Sequence, residues 1–248
     1  MTDHPVRLEE IQSGVGLIRI EDRDGKNAFS DQVIRGLTDS FSQVSKNQSL
    51  KAVVITGFEN YFCSGGNKEV LVRLFEGKAQ FSDSKLYDLP LSCEIPVIAA
   101  MQGHAIGGGL VFGLFCDFAI LSRESVYTAN FMKFGFTPGL GATLVLPNKL
   151  GNALGNEMLM GARSYRGQEL ANRGVPFPVI ARPDVLPEAL RLASELAQMP
   201  RQSLTELKAH LSHSLRTQLP DFVERELRMH ELTFHQSGVL QRINRSFD

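Results

Sequence analysis

Gly103-His104-Ala105-Ile106-Gly107-Gly108-Gly109-Leu110 is the stretch that decides the fold. The apolar run Ile95-Pro96-Val97-Ile98-Ala99-Ala100-Met101 leads into it, and Val111 to Phe115 continue apolar beyond it. An apolar run of that length closed by glycine reads as a buried strand. Three consecutive glycines then remove every Cβ where the chain turns into a helix. Backbone can approach a ligand closely there, and the first free N–H groups of the helix can point at it. Such a turn suits an anionic oxygen. It equally suits a tight packing contact between strand and helix.

A second turn of the same kind lies upstream. Tyr61-Phe62-Cys63-Ser64-Gly65-Gly66-Asn67 passes from an apolar pair through small residues into a helix predicted to run to about Glu76. Two strand-to-helix turns in one domain can supply two converging N–H donors, an oxyanion hole for charge developing on a thioester carbonyl. Around these turns the pattern alternates strand and helix. Val6–Ile11 and Val15–Glu21 read as a hairpin, Asp31–Ser45 as a helix capped by Ser30, and Leu50–Thr56 as a buried strand. Gly77–Ser84 reads as a polar loop, Phe118–Leu121 and Val126–Thr128 as short strands, and Phe134 to Gly141 as a Gly/Pro loop before a helix near Ala142. The fold class is therefore α/β over residues 1–178, with helices packed on a sheet. Residues 179–248 read as a helical C-terminal subdomain of three helices, Leu186–Met199, Ser203–Thr217 and Pro220–Phe234. In the last of these Val223, Leu227, His230 and Phe234 share one face.

Composition bounds the function. A chain of 248 residues, 43% hydrophobic and 21% charged, buries an ordinary globular core. A net charge of −1 makes no electrostatic case for nucleic acid or anionic lipid. No apolar run reaches membrane-spanning length, and the N-terminus lacks the pattern of a signal peptide. Three cysteines, Cys63, Cys93 and Cys116, fit free thiols in a cytoplasmic protein. No metal-ligand spacing is present.

Taken in order, five segments resemble the signatures of the crotonase (enoyl-CoA hydratase/isomerase) superfamily across nearly the whole chain. They are Asn27-Ala28-Phe29-Ser30, Phe62 to Gly66, Ile95 to Gly109, Cys116-Asp117, and Gly135-Phe136-Thr137-Pro138-Gly139. The resemblance implies a spiral of ββα units with a helical C-terminal part that serves trimerisation and covers the active site. It implies assembly as a homotrimer or a hexamer, and oxyanion amides at Gly66 and Gly108. The acyl group would arrive on CoA or phosphopantetheine, with no separate cofactor and no metal. The departures are chemical. The two glutamates of the hydratases correspond here to Val111 and Phe131, and no Asp or Glu occurs from Ile95 to Cys116 or from Ser125 to Asn156. Water addition needs a carboxylate to activate water.

Three local segments are similar to the decarboxylating crotonase-like enzymes of polyketide β-branching cassettes: Gly66-Asn67-Lys68-Glu69, Phe75-Glu76-Gly77-Lys78, and Met229 to Gln236. That subgroup acts on 3-methylglutaconyl groups held by an acyl carrier protein. Loss of CO₂ needs neither water nor a general base. It needs a cation to orient the carboxylate, for which Lys78 is the candidate, and an acid to reprotonate carbon, for which His230 is the candidate. Lys26 is placed to meet a phosphate of the carrier arm. A solvated loop lysine, a packed helix histidine and a surface lysine are the plain structural alternatives for these three. His235 lies beside the stripe, His104 and Asp117 read as structural, and Cys63 as packing. The functional alternatives are an enoyl-CoA isomerase or hydratase with unusual acid/base groups, and a non-catalytic crotonase-like binding protein.

Overall fold

A computed structural model describes residues 4–83 and 85–247. The chain opens with β1 (Val6–Gln12) and β2 (Val15–Ile20), an antiparallel hairpin. Helix α1 (Asp31–Lys46) follows, its first turn closed by the Ser30 hydroxyl accepting from the Val33 N–H. Next come β3 (Ala52–Thr56), β4 (Tyr61–Cys63), α2 (Lys68–Phe75) and the short α3 (Asp88–Ser92). The centre holds β5 (Val97–Met101), β6 (His104–Ile106) and α4 (Gly108–Leu114), then β7 (Phe118–Ser122), β8 (Val126–Thr128) and α5 (Phe131–Phe134). Beyond it are α6 (Ala142–Leu150), α7 (Asn152–Gly161), β9 (Ser164–Arg166), α8 (Gly167–Asn172) and β10 (Val179–Ile180). Helices α9 (Arg182–Ala197), α10 (Arg201–Thr233) and α11 (Val239–Phe247) complete the chain.

The strands form two sheets, one in the order β1-β2-β3-β5-β7-β10 and a smaller one in the order β4-β6-β8-β9. Three successive units repeat one plan: β3-β4-α2, β5-β6-α4 and β7-β8-α5. In each, the first strand joins the large sheet, the second joins the small sheet, and a helix follows. That repeat is the expected spiral of ββα units. The central strands β3 and β5 are buried along their whole length, which is why they read as unbroken apolar runs. Alternate residues serve opposite faces. Val53 and Ile55 pack into the main core with Val33, Leu37 and Phe41 of α1, while Ala52 and Val54 face Val185, Ala189 and Ala193 of α9.

Four expectations change. The run through Met101 does not pass directly into the triple-glycine helix, because β6 intervenes and lies in the other sheet. The division at residue 178 does not separate two cores, since β10 pairs with β7 and α9 covers the large sheet. The two helices expected on either side of Pro220 are one, α10. Proline deprives the Arg216 carbonyl of its helical partner, but both halves of α10 are pinned to the core. Lys208 bonds the Pro90 and Ile95 carbonyls and pairs with Asp117 at 2.7 Å, and Glu226 accepts from Gly141 and Thr143. Helices α3, α5, α7, α8 and α11 and strands β9 and β10 have no counterpart in the sequence reading. The expected loop Gly77–Ser84 ends on Ser84, which lies outside the described residues.

Candidate active site

Strands β4 and β6 are parallel neighbours, so the small-residue turns that follow them sit side by side. A Cβ built on Gly65 would lie 2.5 Å from the Ile106 carbonyl oxygen and 3.2 Å from the Gly108 nitrogen. Only glycine, here with φ of +80°, lets the two turns approach this closely. Among the described residues, neither the Gly66 N–H nor the Gly108 N–H donates a hydrogen bond, and both residues line one cavity of about 880 Å³. This is the geometry of an oxyanion hole: two free donors from two turns facing one space.

The rest of that space is largely apolar. Phe29, Leu71, Leu74, Phe131, Phe136 and Leu140 contribute to its wall. Val111 is fully buried and Phe131 stands where a hydratase would carry its second carboxylate. The carboxylates that do line the cavity, Asp24, Asp31 and Asp83, are exposed residues from the N-terminal turn, the start of α1 and the loop after α2. Nothing acidic therefore stands beside the hole on the α4 or α5 side among the described residues.

Lys26 lines the cavity, its ammonium 5.8 Å from the centre of the Tyr61 ring. The other two charged candidates stand apart from the hole. Lys78 is 68% exposed, and its Nζ lies 2.7 Å from the Glu76 carboxylate, outside the cavity lining. His230 is buried; its Nε2 is 2.9 Å from the Thr137 carbonyl oxygen, to which it donates. Burial holds the His230 pKa below the ordinary imidazole value, although the Thr137 and Pro138 backbone acceptors oppose that shift. Between His230 and the cavity stands Phe81, its ring centre 5.0 Å from the imidazole. Phe81 lines both the large cavity and a neighbouring pocket of about 110 Å³ to which His230 and His235 belong.

The residues read as structural have structural partners. His104 Nδ1 accepts the Val126 N–H, Asp117 accepts the Val97 N–H and pairs with Lys208, and burial pushes the Cys63 thiol up to about 12. A thiol so raised is no nucleophile at neutral pH. The sequence reading missed Phe81, the one aromatic residue in a segment dominated by small and polar side chains, and Asn130, whose half-buried amide lines the cavity beside the glycines. Among the described residues no group of His, Cys, Asp or Glu could hold a metal ion, and no helix is long and apolar enough to cross a membrane.

Known proteins resemble this chain in sequence and fold. The enoyl-CoA hydratase/isomerase family model matches residues 10–244. The bacillaene synthase decarboxylase PksI of Bacillus subtilis is 55% identical over 243 residues, which is 98% of each chain. A solved structure from a dehydratase/decarboxylase enzyme couple of polyketide β-branching superposes with a TM-score of 0.97 at 55% identity, covering 98% of this chain and 96% of that one. The ECH2 decarboxylase domain of CurF from Lyngbya majuscula gives 0.95 at 46% identity, covering 99% and 100%. With the paired glycine turns, the spiral of ββα units and a match over most of its length, this chain belongs to the enoyl-CoA hydratase/isomerase (crotonase) family.

Proposed function

We propose that the chain is a decarboxylase of polyketide β-branching. It releases CO₂ from a 3-methylglutaconyl thioester on an acyl carrier protein and yields a 3-methylcrotonyl-type thioester. The observation that carries this reading is the pair of free N–H groups at Gly66 and Gly108 in a cavity lined by Phe131, with Val111 fully buried, at the two positions that match the hydratase carboxylates. Two relatives named decarboxylases, 55% and 46% identical, support it.

The chemistry follows from the hole. The bond between the γ-carbon and the carboxylate breaks, and its electron pair passes through the conjugated carbons onto the thioester oxygen. CO₂ leaves and a dienolate remains. Its oxygen accepts from Gly66 and Gly108, each donor contributing on the order of 3 kcal/mol to the transition state. A proton delivered to the γ-carbon then gives the 3-methylcrotonyl product. We assign that delivery to His230 and the carboxylate contact to Lys78. In the arrangement described, Lys78 rests on Glu76 and Phe81 covers His230. Both roles therefore require the segment 76–83 to turn, moving Phe81 off the imidazole and Lys78 toward the cavity. Protonation by His230 also predicts a rate that rises as pH falls toward its lowered pKa, because the imidazolium form gains population.

Lys26 is assigned to the phosphate of the carrier arm. The partner is accordingly the acyl carrier protein, and the assembly a homotrimer or hexamer in the cytoplasm. Lys26→Glu should raise KM for carrier-bound substrate and leave KM for an unphosphorylated pantetheine thioester unchanged; equal effects on both would remove the assignment. The main test is intact-protein mass spectrometry of a 3-methylglutaconyl-loaded carrier mixed with wild type, Lys78→Ala or His230→Gln. Loss of CO₂ with wild type and a slower loss with each variant supports reaction and residues. Loss at equal rates in all three discards the two residues.

A further inference from the structure

We infer that Asn130 is the neutral donor that orients the departing carboxylate, an inference that rests on the decarboxylase reading above. Asn130 precedes α5 and lines the cavity, half-buried. Its Oδ1 lies against Gly107, only 2.8 Å from where a Cβ on that glycine would sit. Gly107 adopts φ 54° and ψ −120°, a conformation reserved to glycine, and is the residue directly before the oxyanion glycine Gly108. The amide is thus one residue away from the hole.

It is also unused by the protein. Among the described residues the Asn130 side chain makes no hydrogen bond, and it does not cap α5. The amide keeps contact with solvent, so its donors are open to a ligand that enters the cavity. On the side of the cavity built by residues 106–140, the only other polar side chain is Lys133, an exposed residue whose Nζ turns to Ser164 Oγ at 3.2 Å. The acyl chain brings two polar groups into this space. The thioester oxygen is taken by Gly66 and Gly108. The amide, one residue from that pair, stands where it can meet the second, the γ-carboxylate, while the cavity cations Lys26 and Arg73 belong to the opposite wall of residues 24–83.

An uncharged donor suits that task. Lys78 is the charged contact of the carboxylate, and an uncharged second donor adds direction without further stabilising a charge that leaves as the C–C bond breaks. A single amide hydrogen bond fixes rotation about the breaking bond, holding it out of the plane of the conjugated system so that its electron pair can enter that system. Lys78 then supplies the charged contact and Asn130 supplies direction.

The test measures turnover and product binding together. Asn130→Ala and Asn130→Asp would be compared with wild type for CO₂ release from 3-methylglutaconyl carrier protein and for affinity toward 3-methylcrotonyl pantetheine thioester, which has no carboxylate. The expected result is kcat/KM reduced about tenfold or more in Asn130→Ala, and reduced further in Asn130→Asp, where two carboxylates face each other. The Asp variant should recover relative to wild type as pH is lowered from 8 toward 5, and both variants should bind the product as wild type does. Wild-type turnover in both variants, or product affinity lost in proportion to turnover, overturns the inference while leaving the decarboxylase reading in place. Absence of CO₂ release from the wild type itself overturns both.

Discussion

At the scale of single residues, close approach and burial set the strongest constraints. A Cβ on Gly109 would lie 2.3 Å from the Cys63 carbonyl oxygen, a backbone atom that cannot move without separating β4 from α4. Gly109→Ala should therefore cost about 1–3 kcal/mol or more, seen as a lowered urea midpoint together with lost decarboxylation. An unchanged midpoint would show that the two turns are not locked as described. Two histidines, His230 buried and His104 half-buried, set a pH dependence. Burial is the main cause that lowers the pKa of both His104 and His230. The unfolded chain thus binds protons that the folded chain refuses. Their contribution to stability is fully present above about pH 6.5 and is lost as pH falls through the lowered folded values. Unfolding at pH 7.5 and 5.5 should show this loss, and the double variant His104→Asn, His230→Gln should shrink it. The glycine turns were legible in sequence because absence of a side chain is itself a signal. Phe81 and Asn130 were not, since their meaning lies in what they stand beside, an imidazole from α10 and a glycine from the β6 turn.

At the scale of elements, α10 ties the halves of the molecule together through polar side chains buried against backbone. Glu226 accepts from the Gly141 N–H at 2.7 Å, the Thr143 N–H at 2.8 Å and the Thr143 hydroxyl at 2.6 Å, which closes the N-terminal turn of α6. Its removal would leave three donors without an acceptor. Glu226→Ala should lower stability by about 3 kcal/mol, measured as a shift in the denaturation midpoint, while Glu224→Ala on the exposed face of the same helix should change it by less than about 0.5 kcal/mol. Equal shifts would contradict the pinning role. The helical face through Val223, His230 and Phe234 was legible from its spacing. The continuity of α10 through Pro220 was not, because the local penalty of proline is offset by anchors such as Lys208 and Glu226 that come from far along the chain. Strand β6 was hidden for a related reason: a three-residue strand carries little periodicity, and its place in a second sheet follows from pairing with β4.

At the scale of the whole molecule, the spiral of ββα units brings two glycine turns to one cavity that has no carboxylate on its α4 or α5 side among the described residues. The succession of strands, glycine turns and helices was readable from β1 to α2, in β5, α4, β7 and β8, and in the long helices α9 and α10, but not between α6 and α9. The separation of Lys78 and His230 from the oxyanion hole was not, because it depends on how the segment after α2 lies against α10. The exposed Leu207 and Leu211, one turn apart on α10, fit an assembled state, and light scattering should report a trimer or hexamer; a monomer would exclude that part of the proposal. The most direct test of the central claim is the mass of a 3-methylglutaconyl-loaded carrier protein after incubation with the wild-type enzyme. Loss of the mass of CO₂, with no gain or loss of water, is the expected result. A carrier whose acyl group keeps its carboxylate, or exchanges only water, would contradict it.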